Sequence, residues 1–193
     1  IDDFDSTPDT TNLKENWNVW YNSDSTWNVG GFNLGMNGFA TNGNFGWGTY
    51  NPATHAVLGD ELFLIELADG SFKKIAIESL KGGVYNFKYA GLDGSNMEEV
   101  EIDKNNFPSK NFGYYSFTDG VVDPEPITDD WELLFSQYIV EIPMGPSSMY
   151  YPVSGIRQNN HVKIAEMRNV DVNEVDPPEN EDDYKEIISV IGY

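Results

Sequence analysis

The chain has 193 residues, with 32 Asp and Glu against 11 Lys and Arg, a formal net charge of −21 at pH 7. Nucleic-acid binding depends on cationic side chains displacing counterions from phosphate, so this surface repels a phosphate backbone and, for the same reason, an anionic membrane. A 39% hydrophobic and 14% aromatic content gives a foldable core, which a disordered acidic chain lacks, and the absence of Cys removes disulfides, thiolate catalysis, zinc fingers and iron–sulfur clusters together.

Ile1-Asp2-Asp3-Phe4-Asp5 reads as a mature N-terminus or a boundary cut from a longer chain. Residues 1–16 carry Asp2, Asp3, Asp5, Asp9 and Glu15 with a lone Lys14 and no apolar period, the pattern of an acidic linker or arm. Trp17 to Tyr50 is dense in Asn, Gly and aromatic residues, so turns are frequent and large rings supply the core. Leu62 to Leu67, Ala68-Asp69-Gly70, and Phe72 to Ile77 predict a β-hairpin, because the Gly can take the positive φ that an Asp-Gly turn needs. Val84 to Tyr89 alternates, with Tyr85, Phe87 and Tyr89 on one face, and predicts a half-buried strand.

Val100 to Ile102 and Phe112 to Phe117 follow as strand-like runs, then the acidic connector Asp123-Pro124-Glu125-Pro126. Trp131 to Ile142 reads as a buried strand or a short helix, and its apolar density predicts burial of Trp131, Leu133 and Phe135. Beyond Gly145-Pro146 the pattern predicts a strand over Met149 to Val153, a turn at Ser154-Gly155 and a strand over His161 to Met167. Residues 174–186, with Pro177-Pro178, form a solvated acidic connector, and the apolar Ile187 to Ile191 needs burial by something. Tyr193, so soon after that run, reads as a cut. No sustained helical stripe with caps is present, so the expectation is an all-β, antiparallel, turn-rich architecture. No apolar run approaches the roughly 18 residues of a membrane-spanning helix.

Few residues offer chemistry. The two histidines, His55 and His161, have no Gly-x-Ser-x-Gly elbow to serve, and 32 acids make any chosen carboxylate pair uninformative. The reading is therefore non-enzymatic. His55 closes the loop before the hairpin and is either a haem or metal ligand or a hydrogen-bonded turn residue. Met144 and Met149 flank the Gly-Pro turn, where thioether sulfur is a candidate axial haem ligand or a core filler. Asp171 to Asp176 offers oxygen ligands without the Gly and terminal Glu of an EF-hand. The rings between Trp17 and Tyr50 either build the core or present a sugar-stacking surface.

Gly46 to Val57, Leu62 to Leu67, Ala68-Asp69-Gly70, Phe72 to Ile75 and Tyr85 to Tyr89, then Trp131 to Tyr138, Tyr151 to Ile156 and Asn159 to Ala165, resemble in order the HmuY-like proteins. These are all-β haem-binding or haem-binding-like proteins of the outer surface of Gram-negative bacteria. The likeness is closer to a subset whose units occur in long proteins exported through type IX secretion. It implies a secreted or cell-surface binding protein, an HmuY-like region over 17–173, and a second unit beginning near residue 129. It further implies haem as ligand, with His55, Met144 and Met149 as cofactor-binding candidates, and other units of the same exported protein as partners. The alternatives are a structural or adhesive module and a glycan-binding module.

Overall fold

The computed structural model describes residues 4–10, 22–33, 42–166 and 191–192. Among them every strand pairing is antiparallel and no helix reaches seven residues, so the protein is all-β as expected. The chain divides into two compact units, residues 1–108 and 109–193, a division ahead of the position near 129 expected for a second unit.

Unit 1 opens with a short helix, α1 (Asp24–Val29), whose start is set by a reciprocal cap: the Thr26 amide donates to Ser23 Oγ at 3.2 Å and the Ser23 amide to Thr26 Oγ1 at 2.8 Å. Six strands follow: β1 (Gly48–Asn51), β2 (Ala56–Gly59), β3 (Phe63–Glu66), β4 (Phe72–Lys81), β5 (Val84–Ala90) and β6 (Glu98–Asp103). Their sheet runs β1-β2-β4-β5-β6, and β3 also pairs with β4. Thus β2 and β3 share one edge of β4, meeting Leu80-Lys81 and Phe72 to Ile75 respectively. Gly59, where the chain leaves β2, packs so tightly on β4 that a Cβ there would stand 1.7 Å from the Ile77 carbonyl oxygen.

The predicted hairpin is β3–β4, with Phe63 opposite Ile75 and Glu66 opposite Phe72. Its turn closes because Gly70 takes φ +80° and Asp69 Oδ1 accepts from the Ser71 amide at 2.9 Å and hydroxyl at 2.6 Å. Asp93-Gly94-Ser95 repeats the same device after β5, at 3.0 and 2.6 Å. In both turns the serine bonds hold the aspartate carboxyl below its ordinary value.

Alternation along β4 and β5 assigns the two faces of the sheet. One carries Ile75, Tyr85, Phe87 and Tyr89, against which Trp47 packs at 6.3 Å from the Tyr85 ring; Trp47, Ile75 and Tyr89 are buried. The other carries Lys74, Ala76 and Ala90, all fully buried, with Phe4 laid upon them. The described part of the expected acidic arm is therefore docked rather than free, and Lys74 Nζ donates to the Ser6 carbonyl at 3.0 Å.

Unit 2 contains a small hairpin, β7 (Tyr114–Ser116) with β8 (Gly120–Val122), and a long one, β9 (Leu133–Met144) with β10 (Ser147–Gln158). A short strand, β11 (Ile191–Gly192), adds to β10 opposite Ile156 and Gly155. Of the run Trp131 to Ile142, Leu133 to Ile142 thus resolves as strand, not helix. The Gly145-Pro146 turn suits a two-residue hairpin, since Gly145 supplies φ +67° at the first central position. Two expectations fail here. Ser154-Gly155 lies within β10 in continuous register with Gln137 and Ser136, and the chain turns only at Asn160-His161, after the strand. The strand expected from His161 is absent over its described residues apart from a bridge at Ile164, and Met167 lies outside them, as do residues 174–186.

The burial expectation also needs correction. Trp131 is half-buried, whereas Leu133 is 51% and Phe135 73% exposed. Apolar density places a residue in a strand, but a strand buries only the face that another layer covers.

Candidate functional site

The loop joining β1 to β2 holds His55. Asn51 starts it by accepting the Ala53 amide on its side-chain oxygen at 2.9 Å, and His55 ends it in the left-handed region at φ +52°. The ring is exposed and its Nδ1 stands 2.9 Å from the Tyr50 hydroxyl, the rings 6.4 Å apart. Beside this pair Thr49 Oγ1 donates to Asp60 Oδ2 at 2.9 Å, tying the two ends of the hairpin. The His55 hydrogen bond therefore runs to a phenol.

Met144 and Met149 bracket the tip of the β9–β10 hairpin and are 56% and 43% exposed. By register they share a face with Ile142 and Tyr151, both also exposed. The structure therefore places His55 with Tyr50 in unit 1 and the two methionines together in unit 2. His161 is exposed in the turn after β10. Among the described residues no three His, Asp or Glu side chains converge as a metal site, and Asp171 to Asp176 lie outside them. The rings of the Asn-rich stretch divide: Trp47 enters the core, while Trp27, Phe45 and Tyr50 are 39%, 45% and 38% exposed.

Among the described residues the longest sheet edge is β9. It is an edge strand, hydrogen-bonded to β10 on one side and to no strand among the described residues on the other. Leu133 to Val140 carries no charge, in a chain of net charge −21. On one face Phe135 stands opposite Ile156, with Leu133 two residues away; on the other, towards the tip, stand Ile142, Met144, Met149 and Tyr151. Free edge and exposed apolar side chains thus coincide at the base, at Leu133 and Phe135, and at the tip, at Ile142 and Met144.

Sequence reasoning missed what holds this hairpin at its base. Asn159 is fully buried: its side-chain nitrogen donates to the Thr128 and Trp131 carbonyls at 2.6 and 2.7 Å, and its oxygen accepts from Asn111 at 2.9 Å and from the Asn160 amide at 2.7 Å. Glu125, placed by sequence in an acidic connector, is buried and accepts the Asn111 and Phe112 amides at 3.2 and 2.8 Å. Its charge and, more strongly, desolvation push the Tyr114 hydroxyl up. A Pro on each side of Glu125 was the one available signal, since it restricts the backbone that aims the carboxylate.

No protein-family model, curated protein or solved structure matches this chain.

Proposed function

We propose that the protein is a non-enzymatic binding module of an exported, cell-surface protein, and that it works by taking a partner strand along β9. The resemblance to HmuY-like proteins supports the setting. The observation that carries the mode is Phe135, 73% exposed within the uncharged stretch Leu133 to Val140 of an edge strand. Backbone groups along such an edge offer ladder hydrogen bonds, and alternate side chains offer apolar contacts, which is the basis of recognition by strand addition. The partner is protein: a neighbouring unit of the same exported protein, for which a second copy is the accessible substitute.

Because the contact is apolar and the chain strongly anionic, salt screens the repulsion between copies without weakening the contact. Sedimentation velocity on the chain should show self-association that strengthens between about 0.02 and 0.5 M NaCl, and that Phe135→Asp abolishes without changing Tm. A chain that stays monomeric at ~100 µM and high salt, or association untouched by Phe135→Asp, refutes the mode.

Haem is the second reading, favoured by one detail of geometry. In the tautomer whose Nδ1–H donates to the Tyr50 oxygen, His55 Nε2 carries the lone pair that can ligate, and such a hydrogen bond from the other ring nitrogen commonly orients ligand histidines. A hemin titration separates the readings. A sharp Soret band lost in His55→Ala supports ligation there, and one lost in the Met144→Leu, Met149→Leu variant supports the hairpin tip. A broad change common to all variants is ordinary apolar adsorption and counts against both.

A further inference from the structure

Strands β4 and β5 place two Lys-x-Ala sequences, Lys74-Ile75-Ala76 and Lys88-Tyr89-Ala90, antiparallel to one another. The register sets Lys74 opposite Ala90 and Ala76 opposite Lys88, so one face of the sheet carries a checkerboard of two lysines and two alanines. Alanines leave a depression between the longer side chains. Phe4 fills it, 3% exposed, over Ala76 and Ala90, with Leu62 at the margin. The two ammonium groups flank the ring, Lys74 Nζ 5.0 Å and Lys88 Nζ 4.8 Å from its centroid. Lys74 is itself fully buried and also donates to the Ser6 carbonyl at 3.0 Å, whereas Lys88 is held by Glu78 at 3.0 Å.

A fully buried lysine in a strand is costly unless something answers its charge, and here the answering groups belong to the strap: an aromatic face and a backbone oxygen two residues on. The residues next to Phe4 are acidic, Asp2, Asp3 and Asp5. Lys74, Lys81 and Lys88 share this face of β4 and β5, with Glu99 of β6 opposite Lys88, whereas Lys73 lies on the other face over the Tyr89 ring. Shape, cation–π geometry and local charge thus select one kind of ligand. We infer that this quartet is a recognition socket for an acidic segment bearing an aromatic side chain, and that residues 4–10 occupy it in cis. A segment of the same chemistry from another chain competes for it. The socket lies in unit 1 and is independent of the edge strand proposed above as a binding surface.

The test uses the 193-residue chain with Phe4→Ala, which empties the socket, and a fluorescein-labelled peptide of residues 1–10 added in trans. Fluorescence anisotropy should show saturable binding to the Phe4→Ala chain and binding at least about tenfold weaker to the unaltered chain, whose socket is filled. Adding Lys74→Met, which keeps the aliphatic stem and removes the ammonium, should weaken the peptide about tenfold. A peptide with Phe4→Ala, which asks nothing of the protein's folding, should not bind. Equal binding to filled and emptied chains, indifference to Lys74→Met, or equal binding of the Phe4→Ala peptide would each overturn the inference. Should the emptied chain fail to show native amide dispersion, the same peptides are applied to the unaltered chain cleaved at a protease site inserted after Thr10, where exchange of the labelled peptide supports the socket and its absence refutes it.

Discussion

Asn159→Asp is the sharpest perturbation of unit 2, because it keeps the shape of a fully buried side chain and reverses one half of its hydrogen bonding. The retained oxygen still accepts from Asn111 and the Asn160 amide, but an oxygen now replaces the nitrogen that lay 2.6 and 2.7 Å from the Thr128 and Trp131 carbonyls. Each carbonyl left buried and unpaired costs about 1–3 kcal/mol, so the pair costs roughly 2–6 kcal/mol before any charge is counted. With an uncompensated carboxylate added, the loss at neutral pH should be about 4 kcal/mol or more, in the extreme tail for single substitutions. The introduced carboxyl is desolvated and faces carbonyl dipoles, so its folded pKa is raised above the unfolded value. Stability is then recovered below the unfolded pKa, where a protonated carboxyl donates to one carbonyl, and is lost as pH rises through the folded value. Hydrogen exchange of β9–β10 amides in urea measures the loss, with β4–β5 amides in the same sample as reference. A loss under about 1 kcal/mol, or one that does not change with pH, would show that Asn159 is not the node described.

At Gly59 an added Cβ meets backbone at 1.7 Å and nothing can yield but the bulge of β4 at Ile77/Ser79; Gly59→Ala should therefore cost about 3 kcal/mol or more by urea unfolding, while near-wild-type stability would mean that β2 and β3 do not share the β4 edge as described. Burial raises the Tyr85 hydroxyl above its ordinary value of 10.0, and desolvation with the Glu125 charge does the same at Tyr114. The stability tied to these neutral phenols is intact below 10.0 and lost as pH rises through the folded values, so Tm should fall on the alkaline side and Tyr85→Phe should soften the fall; an unchanged Tm profile in Tyr85→Phe would refute it.

Local grammar made part of this protein legible. Asp69-Gly70 between two strand-like runs specifies a turn whose Gly needs φ > 0 and whose Asp bonds the Ser71 amide, and both requirements are met inside four residues. The alternation of Tyr85, Phe87 and Tyr89 assigned their common face for the same reason: period two is a property of the strand alone. Trp131 to Ile142 was ambiguous between strand and helix because a short apolar run has no decisive period, and pairing with β10 settled it. Phe135 was misplaced because hydrophobicity states a preference for cover, whereas the supply of cover depends on elements distant in sequence.

Composition alone set the charge, the absence of thiol chemistry and, with turn signals at Gly and Asn, the all-β class. Only the tertiary structure decided that Phe4, in an acidic stretch with no apolar period, seats between Lys74 and Lys88, since its partners lie some seventy residues on and become adjacent only through the β4–β5 register. The same holds for Asn159 and Glu125, polar residues whose burial the sequence does not announce. Their burial follows from backbone groups at Thr128, Trp131, Asn111 and Phe112 that need partners where the chain folds back, a demand that exists only once the fold has excluded water from them.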